Sequence, residues 1–129
     1  MLEGQRELRV LAVDDDGSIR LLLADVLEEA GCRVFTAPDG AEAMDILEEE
    51  PVDLLITDYH MPRMNGVDLI RRSRERFPHV AAIMMTGDTR ETVAAEARKS
   101  GAYRILLKPF AFEELLLLVG NLRGAMLAA

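Results

Sequence analysis

Short apolar runs alternate with longer segments of helical periodicity along the whole chain. Five runs have the length of buried strands in a parallel sheet; they span Leu8–Val13, Cys32–Ala37, Val52–Thr57, Val80–Met85 and Tyr103–Leu107. The other segments have the apolar spacing of helices; helices are predicted from Ser18 to Gly31 and over Ala41–Glu49, Val67–Arg76, Thr89–Lys99 and Phe112–Met126. Strands that alternate with helices in this way predict an α/β domain whose parallel sheet is covered on both faces.

The first predicted helix has recognisable ends and a clear apolar face. Ser18 is predicted to cap its start, with Asp16 and Gly17 in the preceding turn, and Gly31 is predicted to end it. The inward stripe consists of Ile19, Leu22, Leu23, Val26 and Leu27. Leu21 falls roughly opposite this stripe, at about 100° per residue, and is therefore expected to be exposed.

The composition narrows the classes of function. A chain of 129 residues is expected to form one domain over residues 1–129, with an ordered core over about 8–126 and a tail over 1–7. The formal net charge of −8 argues against direct binding to nucleic acid or to an anionic membrane, since phosphate groups attract Lys and Arg. The sequence shows no apolar segment of signal-peptide or membrane-spanning type, which predicts a cytoplasmic protein. The single cysteine, Cys32, lies in an apolar run and is predicted to be buried in the core.

Three of the predicted strands end in charged residues. The first run leads into Asp14 and Asp15, the third into Asp58, and the fifth into Lys108. Ligands of open α/β sheets bind beyond the carboxyl ends of the strands, so these side chains are expected to meet in one crevice. Neighbouring carboxylates repel each other unless a cation holds them, and Mg²⁺ binds carboxylate, water and phosphate oxygens. The pattern therefore predicts a magnesium site that also receives a phosphoryl group, while Asp16 is interpreted as a turn residue.

Each of these residues also has a less specific interpretation. A carboxylate such as that of Asp58 is either a nucleophile that forms an aspartyl phosphate or the cap of a helix or turn. Thr86, at the end of the fourth run, either donates a hydrogen bond to a phosphoryl oxygen or caps a helix. Lys108 is either a surface lysine or the counter-charge of the three carboxylates and later a clamp on phosphate. The turn-rich loop after Asp58 favours the nucleophile, because it leaves the carboxylate open to a partner.

Four motifs, taken together and in this order, resemble the response-regulator receiver domains of two-component signalling. They are Val13-Asp14-Asp15, Asp58 with Met61-Pro62-x-Met64-x-Gly66, Thr86, and Lys108-Pro109. The resemblance covers nearly the whole chain. It implies a flavodoxin-like, doubly wound sheet of five parallel strands in the order 2-1-3-4-5, with five helices.

The resemblance implies a role for each acid at the strand ends. Asp58 would accept a phosphoryl group from a sensor histidine kinase or from a histidine phosphotransfer protein. Asp14, Asp15, Asp58 and the backbone carbonyl of His60 would bind Mg²⁺. The domain would be a signalling phosphoacceptor that assists its own phosphorylation and dephosphorylation, and it would not be an enzyme that turns over a substrate.

The resemblance also implies roles for residues near the ends of the fourth and fifth strands. Thr86 and Lys108 would bind phosphoryl oxygens, and Pro109 would follow a cis peptide bond. Ile105 departs from the family, which commonly has Tyr or Phe three residues before the lysine as part of the switch. Tyr103 is expected on the same strand face as Ile105, so it does not replace that aromatic ring.

The side chain of His60 is a candidate for a regulatory contribution. In the family this position borders the path of the hydrolytic water, so the side chain is expected to influence the rate of dephosphorylation. A transition metal bound through its ring is the alternative. That alternative is disfavoured because one histidine stands among hard carboxylates.

Three other functions share parts of this pattern. A phosphatase of the haloacid-dehalogenase type would need a second acid two residues after Asp58, where the chain has His60. A flavin- or nucleotide-binding module would need a phosphate-wrapping loop after the first strand, where three acids stand instead. A degenerate receiver that acts only as a protein-interaction scaffold is the alternative to a phosphoacceptor, and it is disfavoured because all the site residues are present.

Two leucines mark candidate partner surfaces. In receivers the first helix flanks the phosphoacceptor and meets the kinase, so Leu21 is a candidate contact for that partner. Leu117, on the last helix, falls nearly opposite an apolar stripe formed by Phe112, Leu115, Leu116, Val119, Leu122 and Met126. The resemblance implies that helix 4, strand 5 and helix 5 form a surface that phosphorylation switches and that supports a possible homodimer.

Overall fold

A computed structural model describes residues 7–128 as a five-stranded sheet with five helices. The strands are β1 (Arg9–Val13), β2 (Arg33–Ala37), β3 (Leu54–Asp58), β4 (Ala81–Thr86) and β5 (Arg104–Leu107). The helices are α1 (Gly17–Glu29), α2 (Gly40–Glu49), α3 (Gly66–Arg76), α4 (Glu91–Ser100) and α5 (Phe112–Ala128). All predicted elements are present, and their ends differ from the predicted ends by at most two residues.

The strands lie in the order β2-β1-β3-β4-β5, and every neighbouring pair is parallel. This order confirms the flavodoxin-like fold. The chain winds first to one side of β1 and then to the other, so a crevice opens between the loops that follow β1 and β3. Val13 lies opposite Thr57 in the β1–β3 pair. This register places the residues that follow the two strands side by side.

Each face of the sheet has its own hydrophobic core. The α1–α5 core contains Leu23 and Leu115, and the α2–α3–α4 core contains Leu47 and Ile70. β3 is buried along its whole length, which explains why its sequence is apolar throughout instead of alternating. Cys32 is 4% exposed and lies in the α1–α5 core, which confirms its prediction as a core residue.

The start of α1 differs from the prediction, because Asp16 caps the helix and Ser18 does not. Oδ1 of Asp16 accepts hydrogen bonds from the backbone N–H groups of Ser18 at 2.9 Å and of Ile19 at 3.4 Å. A carboxylate at this position also interacts favourably with the positive end of the helix dipole. Asp16 is therefore more than a turn residue, since it fixes the entry of the chain into α1. Gly31, with φ of 90°, ends the helix as predicted.

The apolar face of α1 is narrower than predicted. Leu23 and Leu27 are buried, whereas Leu22 is 45% exposed, so the prediction that Leu22 faces inward is wrong. The reason is a groove between α1 and the loop after β5, which leaves this side of the helix uncovered. Leu21 is 65% exposed, as its position opposite the stripe predicts.

Tyr103 and Ile105 do not share a face of the sheet. Tyr103 packs against the α1–α5 core, and Ile105 packs against the α2–α3–α4 core. β5 begins at Arg104, so Tyr103 precedes the strand and does not follow its alternation of sides. The prediction of a common face is wrong, and Tyr103 is separated from Ile105 by the sheet itself.

Among residues 7–128, no helix combines the length and the apolar character that crossing a membrane requires. The predicted N-terminal tail, residues 1–7, lies outside the described residues except for Glu7. The tail and the extent of the single domain therefore stay predictions.

Candidate functional site

Four of the predicted site residues meet at one edge of the sheet. Asp14 follows β1, Asp58 ends β3, Thr86 ends β4 and Lys108 follows β5. The N–H of Lys108 donates to the carbonyl of Thr86 at 2.8 Å. This bond continues the pairing of β4 and β5 into the site, so residues from distant parts of the sequence are held next to one another.

Three carboxylates form a cluster at the centre of this edge. One oxygen each from Asp14, Asp15 and Asp58 lies within 4.8 Å of the other two. Asp14 and Asp58 are 1% and 8% exposed, and Asp15 is exposed to solvent. A set of hard carboxylate oxygens with one side open to water fits Mg²⁺ better than it fits a softer transition metal. The backbone carbonyl of His60, two residues beyond Asp58, stays the predicted fourth protein ligand.

Asp14 is held tightly within the cluster. Its Oδ1 accepts a hydrogen bond from the backbone N–H of Asp16 at 2.9 Å, and its Oδ2 lies 3.5 Å from Nζ of Lys108. Burial raises the pKa of Asp14, and the charge of Asp58 raises it further, although the Asp16 amide and Lys108 act in the opposite direction. Burial is thus the main cause of the raised pKa of Asp14, and repulsion from Asp58 is a smaller contribution that a bound cation would relieve.

Lys108 supplies the positive charge of the cluster. Its Nζ lies 3.2 Å from Oδ1 of Asp58 as well as 3.5 Å from Oδ2 of Asp14. Burial alone would lower the pKa of Lys108, but the charges of the two aspartates outweigh burial and raise it. Lys108 is therefore protonated at neutral pH. Its peptide bond to Pro109 is cis, the geometry that the resemblance implies.

The phosphoacceptor candidate Asp58 is positioned by the loop that follows it. Its Oδ1 accepts a hydrogen bond from the N–H of Tyr59 at 2.9 Å. The N–H of Gly66 donates to the carbonyl of Tyr59 at 2.9 Å, and a Cβ on Gly66 would collide with the backbone carbonyl of Asp58. Only glycine lets the start of α3 approach the backbone of Asp58 this closely. The sequence motif contains Gly66, but its packing role is visible only in the folded chain.

Thr86 is buried beside the cluster and borders a cavity. Its Oγ1 accepts a hydrogen bond from the N–H of Asp88 at 2.9 Å, which leaves the hydroxyl proton available to another acceptor. A cavity of about 200 Å³ opens next to it, and Ile105 and Leu107 line this cavity together with Thr86 and the loop before α4. Ile105 therefore lies next to Thr86, at the position where the family commonly has an aromatic ring.

His60 contacts the Asp88–Arg90 ion pair, which the sequence pattern did not predict. Its Nε2 lies 3.5 Å from Oδ2 of Asp88. The Arg90 guanidinium donates to both oxygens of Asp88, at 2.5 to 3.1 Å. The hydrogen bonds from the Arg90 side chain hold the pKa of Asp88 far below its usual range. This group connects the loop after β3 to the loop after β4, a contact that no local sequence signal indicates.

Exposed apolar side chains lie on α1 and α5, and an apolar groove opens beside the site. Leu21 on α1 and Leu117 on α5 are each 65% exposed. Leu118, by contrast, packs against the α1–α5 core. A groove of about 370 Å³ between α1 and the loop after β5 opens beside Lys108. It is lined mainly by apolar side chains, namely Ile19, Leu22, Leu23, Met85, Pro109, Phe110 and Phe112.

Comparisons with known proteins agree with this fold. Residues 10–120 match the sequence profile of the response regulator receiver domain. The response regulator receiver protein CpdR of Brucella abortus is 35% identical over 121 residues, which cover 94% of this chain and 98% of CpdR. The DNA-binding transcriptional regulator NtrC of Escherichia coli is 37% identical over 110 residues, 85% of this chain and 24% of NtrC. A solved signal receiver domain of an HD domain-containing protein from Pseudomonas fluorescens has a TM-score of 0.91 at 30% identity and covers 96% of this chain and 100% of that structure.

The chain belongs to the response regulator receiver domain family. It covers nearly the full length of CpdR. It spans about a quarter of the length of the NtrC proteins that it matches.

Proposed function

We propose that this receiver domain accepts a phosphoryl group on Asp58 from a histidine kinase or from a histidine phosphotransfer protein. One observation carries the proposal: Nζ of Lys108 lies 3.2 Å from the Asp58 carboxylate, within a cluster of three carboxylates. A buried carboxylate beside both a cation-binding cluster and an ammonium group has the surroundings that a phosphoryl acceptor needs. A capping carboxylate needs neither of these neighbours.

The chain's own groups account for the transfer step. A carboxylate oxygen of Asp58 attacks the phosphorus of the phosphohistidine, and the new P–O bond forms as the P–N bond breaks. The imidazole nitrogen leaves with the electron pair of the broken bond. Nζ of Lys108 then shifts its hydrogen bond from the carboxylate to a phosphoryl oxygen, where its charge offsets the added negative charge. The hydroxyl of Thr86 donates to a second phosphoryl oxygen.

Mg²⁺ is the proposed cofactor. Asp14, Asp15 and Asp58 would hold it through their carboxylates, and His60 would contribute its backbone carbonyl. When bound, the ion neutralises charge on the transferring group.

Phosphorylation is proposed to switch the surface formed by α4, β5 and α5. Movement of Thr86 toward a phosphoryl oxygen displaces the loop before α4. The adjacent cavity of about 200 Å³ gives Ile105 and Leu107 room to repack as this loop moves. The switch would then rely on aliphatic side chains in place of an aromatic ring. The contact between His60 and Asp88 places the histidine ring beside the same loop, where it would influence hydrolysis of the phosphoryl group.

In this proposal, the domain is a signalling phosphoacceptor that acts with its kinase in the cytoplasm, and it is not an enzyme that turns over a substrate. The test is to incubate the purified chain with Mg²⁺ and either acetyl phosphate or a phosphorylated histidine kinase. Uptake of one phosphoryl group, stable in acid and labile in base, is expected. A folded protein that takes up no phosphoryl group from either donor would instead be a protein-interaction scaffold.

Leu21→Asp is expected to slow phosphoryl transfer from the cognate kinase. Leu21 is 65% exposed on α1, so the substitution places a charge on the proposed kinase surface without disturbing the core. Loss of one central interface contact typically costs about 1–2 kcal/mol, so kcat/KM for transfer should fall about tenfold. Labelling by acetyl phosphate should not change, because this small donor does not use the surface.

Leu117→Asp is the matched control for this experiment, since Leu117 is equally exposed on a different helix. It should leave transfer from the kinase unchanged. If Leu21→Asp slows labelling by both donors equally, the substitution damages the fold and α1 has no demonstrated part in docking.

Leu117→Lys is expected to abolish a phosphorylation-dependent dimer. A side chain that is 65% exposed on α5 adds apolar area to the surface formed by α4, β5 and α5, and a lysine there would face its own copy across a symmetric interface. Sedimentation of the unphosphorylated and the phosphorylated chain measures the effect, and Leu21→Lys serves as the control. Dimerisation that depends neither on phosphate nor on Leu117 would exclude this surface as the interface.

A further inference from the structure

Asp14 is buried, and each of its polar groups has a partner. Its N–H donates to the carbonyl of Ala37 at 3.2 Å. Its carboxylate accepts from the Asp16 amide and faces Lys108. Its carbonyl lies beyond the end of β1 and accepts a hydrogen bond at 2.7 Å from Nη1 of Arg20. A buried carbonyl without a partner is costly, so Arg20 completes the bonding of a residue that belongs to the acidic cluster.

The hydrogen bond to Asp14 offsets an unfavourable position of Arg20 in α1. Arg20 lies in the first turn of the helix, where a positive charge opposes the helix dipole. The guanidinium folds back over this turn, since a Cβ on Gly17 would lie 3.4 Å from Nη2 of Arg20, an ordinary van der Waals distance. The side chain is half-buried, and its bond to Asp14 closes the loop between β1 and α1.

Arg20 acts on the backbone of this loop and not on the carboxylate charges. The cation that lowers the pKa of Asp14 is Lys108, on the side of Asp58. Arg20 instead bonds the carbonyl between Asp14 and Asp15. The direction in which these two successive carboxylates point depends on how this peptide group is held.

We propose that Arg20 is a positioning residue for the metal site: its hydrogen bond to the Asp14 carbonyl orients the carboxylates of Asp14 and Asp15 toward the cation. The inference rests on the proposed function in that the cation is taken to be Mg²⁺. Arg20 contacts neither the cation nor the phosphoryl group. Removal of the Arg20 side chain should therefore weaken Mg²⁺ binding and leave the rate of phosphorylation at saturating Mg²⁺ unchanged.

The experiment compares the complete chain with Arg20→Met, Arg20→Lys and the control Arg72→Met, which replaces an exposed arginine of α3. Calorimetric titration with Mg²⁺ gives Kd, at a temperature where circular dichroism shows each variant folded. Loss of a partner that orients a metal ligand weakens metal binding by about tenfold or more, so Kd of Arg20→Met should rise about tenfold. Arg20→Lys retains a cationic donor and should recover part of this loss, while Arg72→Met should bind like the parent.

Two further measurements separate the possible outcomes. The labelling rate with acetyl phosphate should return to the parental value for Arg20→Met once Mg²⁺ is saturating. A rate that stays low would show that Arg20 contacts the phosphoryl group, and an unchanged Kd with a lower Tm in EDTA would show a purely structural role. Either result overturns the proposal. If the parent chain itself binds no Mg²⁺, both the proposed cofactor and the inference about Arg20 are wrong. If the parent binds Mg²⁺ and is phosphorylated but Arg20→Met binds Mg²⁺ equally well, only the inference about Arg20 is wrong.

Discussion

Asp58→Asn is expected to abolish phosphorylation by acetyl phosphate and by the kinase. The amide that replaces the carboxylate has no anionic oxygen to attack phosphorus, and Lys108 loses one of its two anionic partners, the one at 3.2 Å. The fold should survive, because the change removes one of three carboxylates that repel one another at the same edge of the sheet. Mass spectrometry of the intact protein measures the phosphoryl group, and thermal unfolding without Mg²⁺ measures stability, which should not fall.

Asp25→Asn is the control for Asp58→Asn, since Asp25 is an exposed acid of α1 that is distant from the cluster in the sequence. This variant should be labelled like the parent. Labelling of Asp58→Asn at the parental level would mean that another residue accepts the phosphoryl group. The site assignment would then be wrong even though the fold and the family are correct.

Asp15→Asn is expected to weaken Mg²⁺ binding about a hundredfold. Removal of one carboxylate charge about 4 Å from a divalent cation costs about 2 kcal/mol at the dielectric constant of water and more where the cluster is partly buried, and each 1.4 kcal/mol is a factor of ten. Asp15 is the exposed member of the cluster, so the substitution should not affect folding. Labelling should fall at limiting Mg²⁺ and recover when the Mg²⁺ concentration is raised.

Asp16→Asn is a demanding control for Asp15→Asn, because it removes an equal charge from the next residue. Asn caps helices as well as Asp does, so the bond to the N–H of Ser18 should persist. The Mg²⁺ affinity of Asp16→Asn should stay close to that of the parent. An equal loss in both variants would show that overall negative charge attracts the cation and that Asp15 is not a ligand.

Much of the fold could be predicted from the sequence because a parallel sheet imposes a simple pattern. Buried strands such as β3 are apolar on both faces, so they stand out from the amphipathic helices between them. The same pattern located the site: Asp58 and Lys108 come where apolar runs end, and parallel strands bring their carboxyl ends to one edge. The order of the strands required the family resemblance, since alternation alone is compatible with several windings.

Side-chain directions near the ends of elements were predicted less well. The alternation of a strand assigns Tyr103 and Ile105 to one face, yet β5 starts one residue after Tyr103 and the two side chains pack on opposite faces. Helical periodicity assigns Leu22 to the inward stripe, yet a groove leaves it 45% exposed. In both cases the result depends on where a neighbouring element ends, which a local pattern does not contain.

From the amino-acid sequence alone one can predict the number and type of the elements, the acids and the lysine at the strand ends, and the family. These features depend on the chemistry of consecutive residues and on one general property of parallel sheets. The side chains that hold the loops of the site are visible only in the folded chain: Asp16 caps α1, Arg20 donates to the carbonyl of Asp14, and Asp88 joins His60 to Arg90. Such contacts join loops whose relative positions are set by helix packing on the sheet. No local pattern contains them, because a side chain bonds to groups that come within hydrogen-bond distance only when the chain has folded.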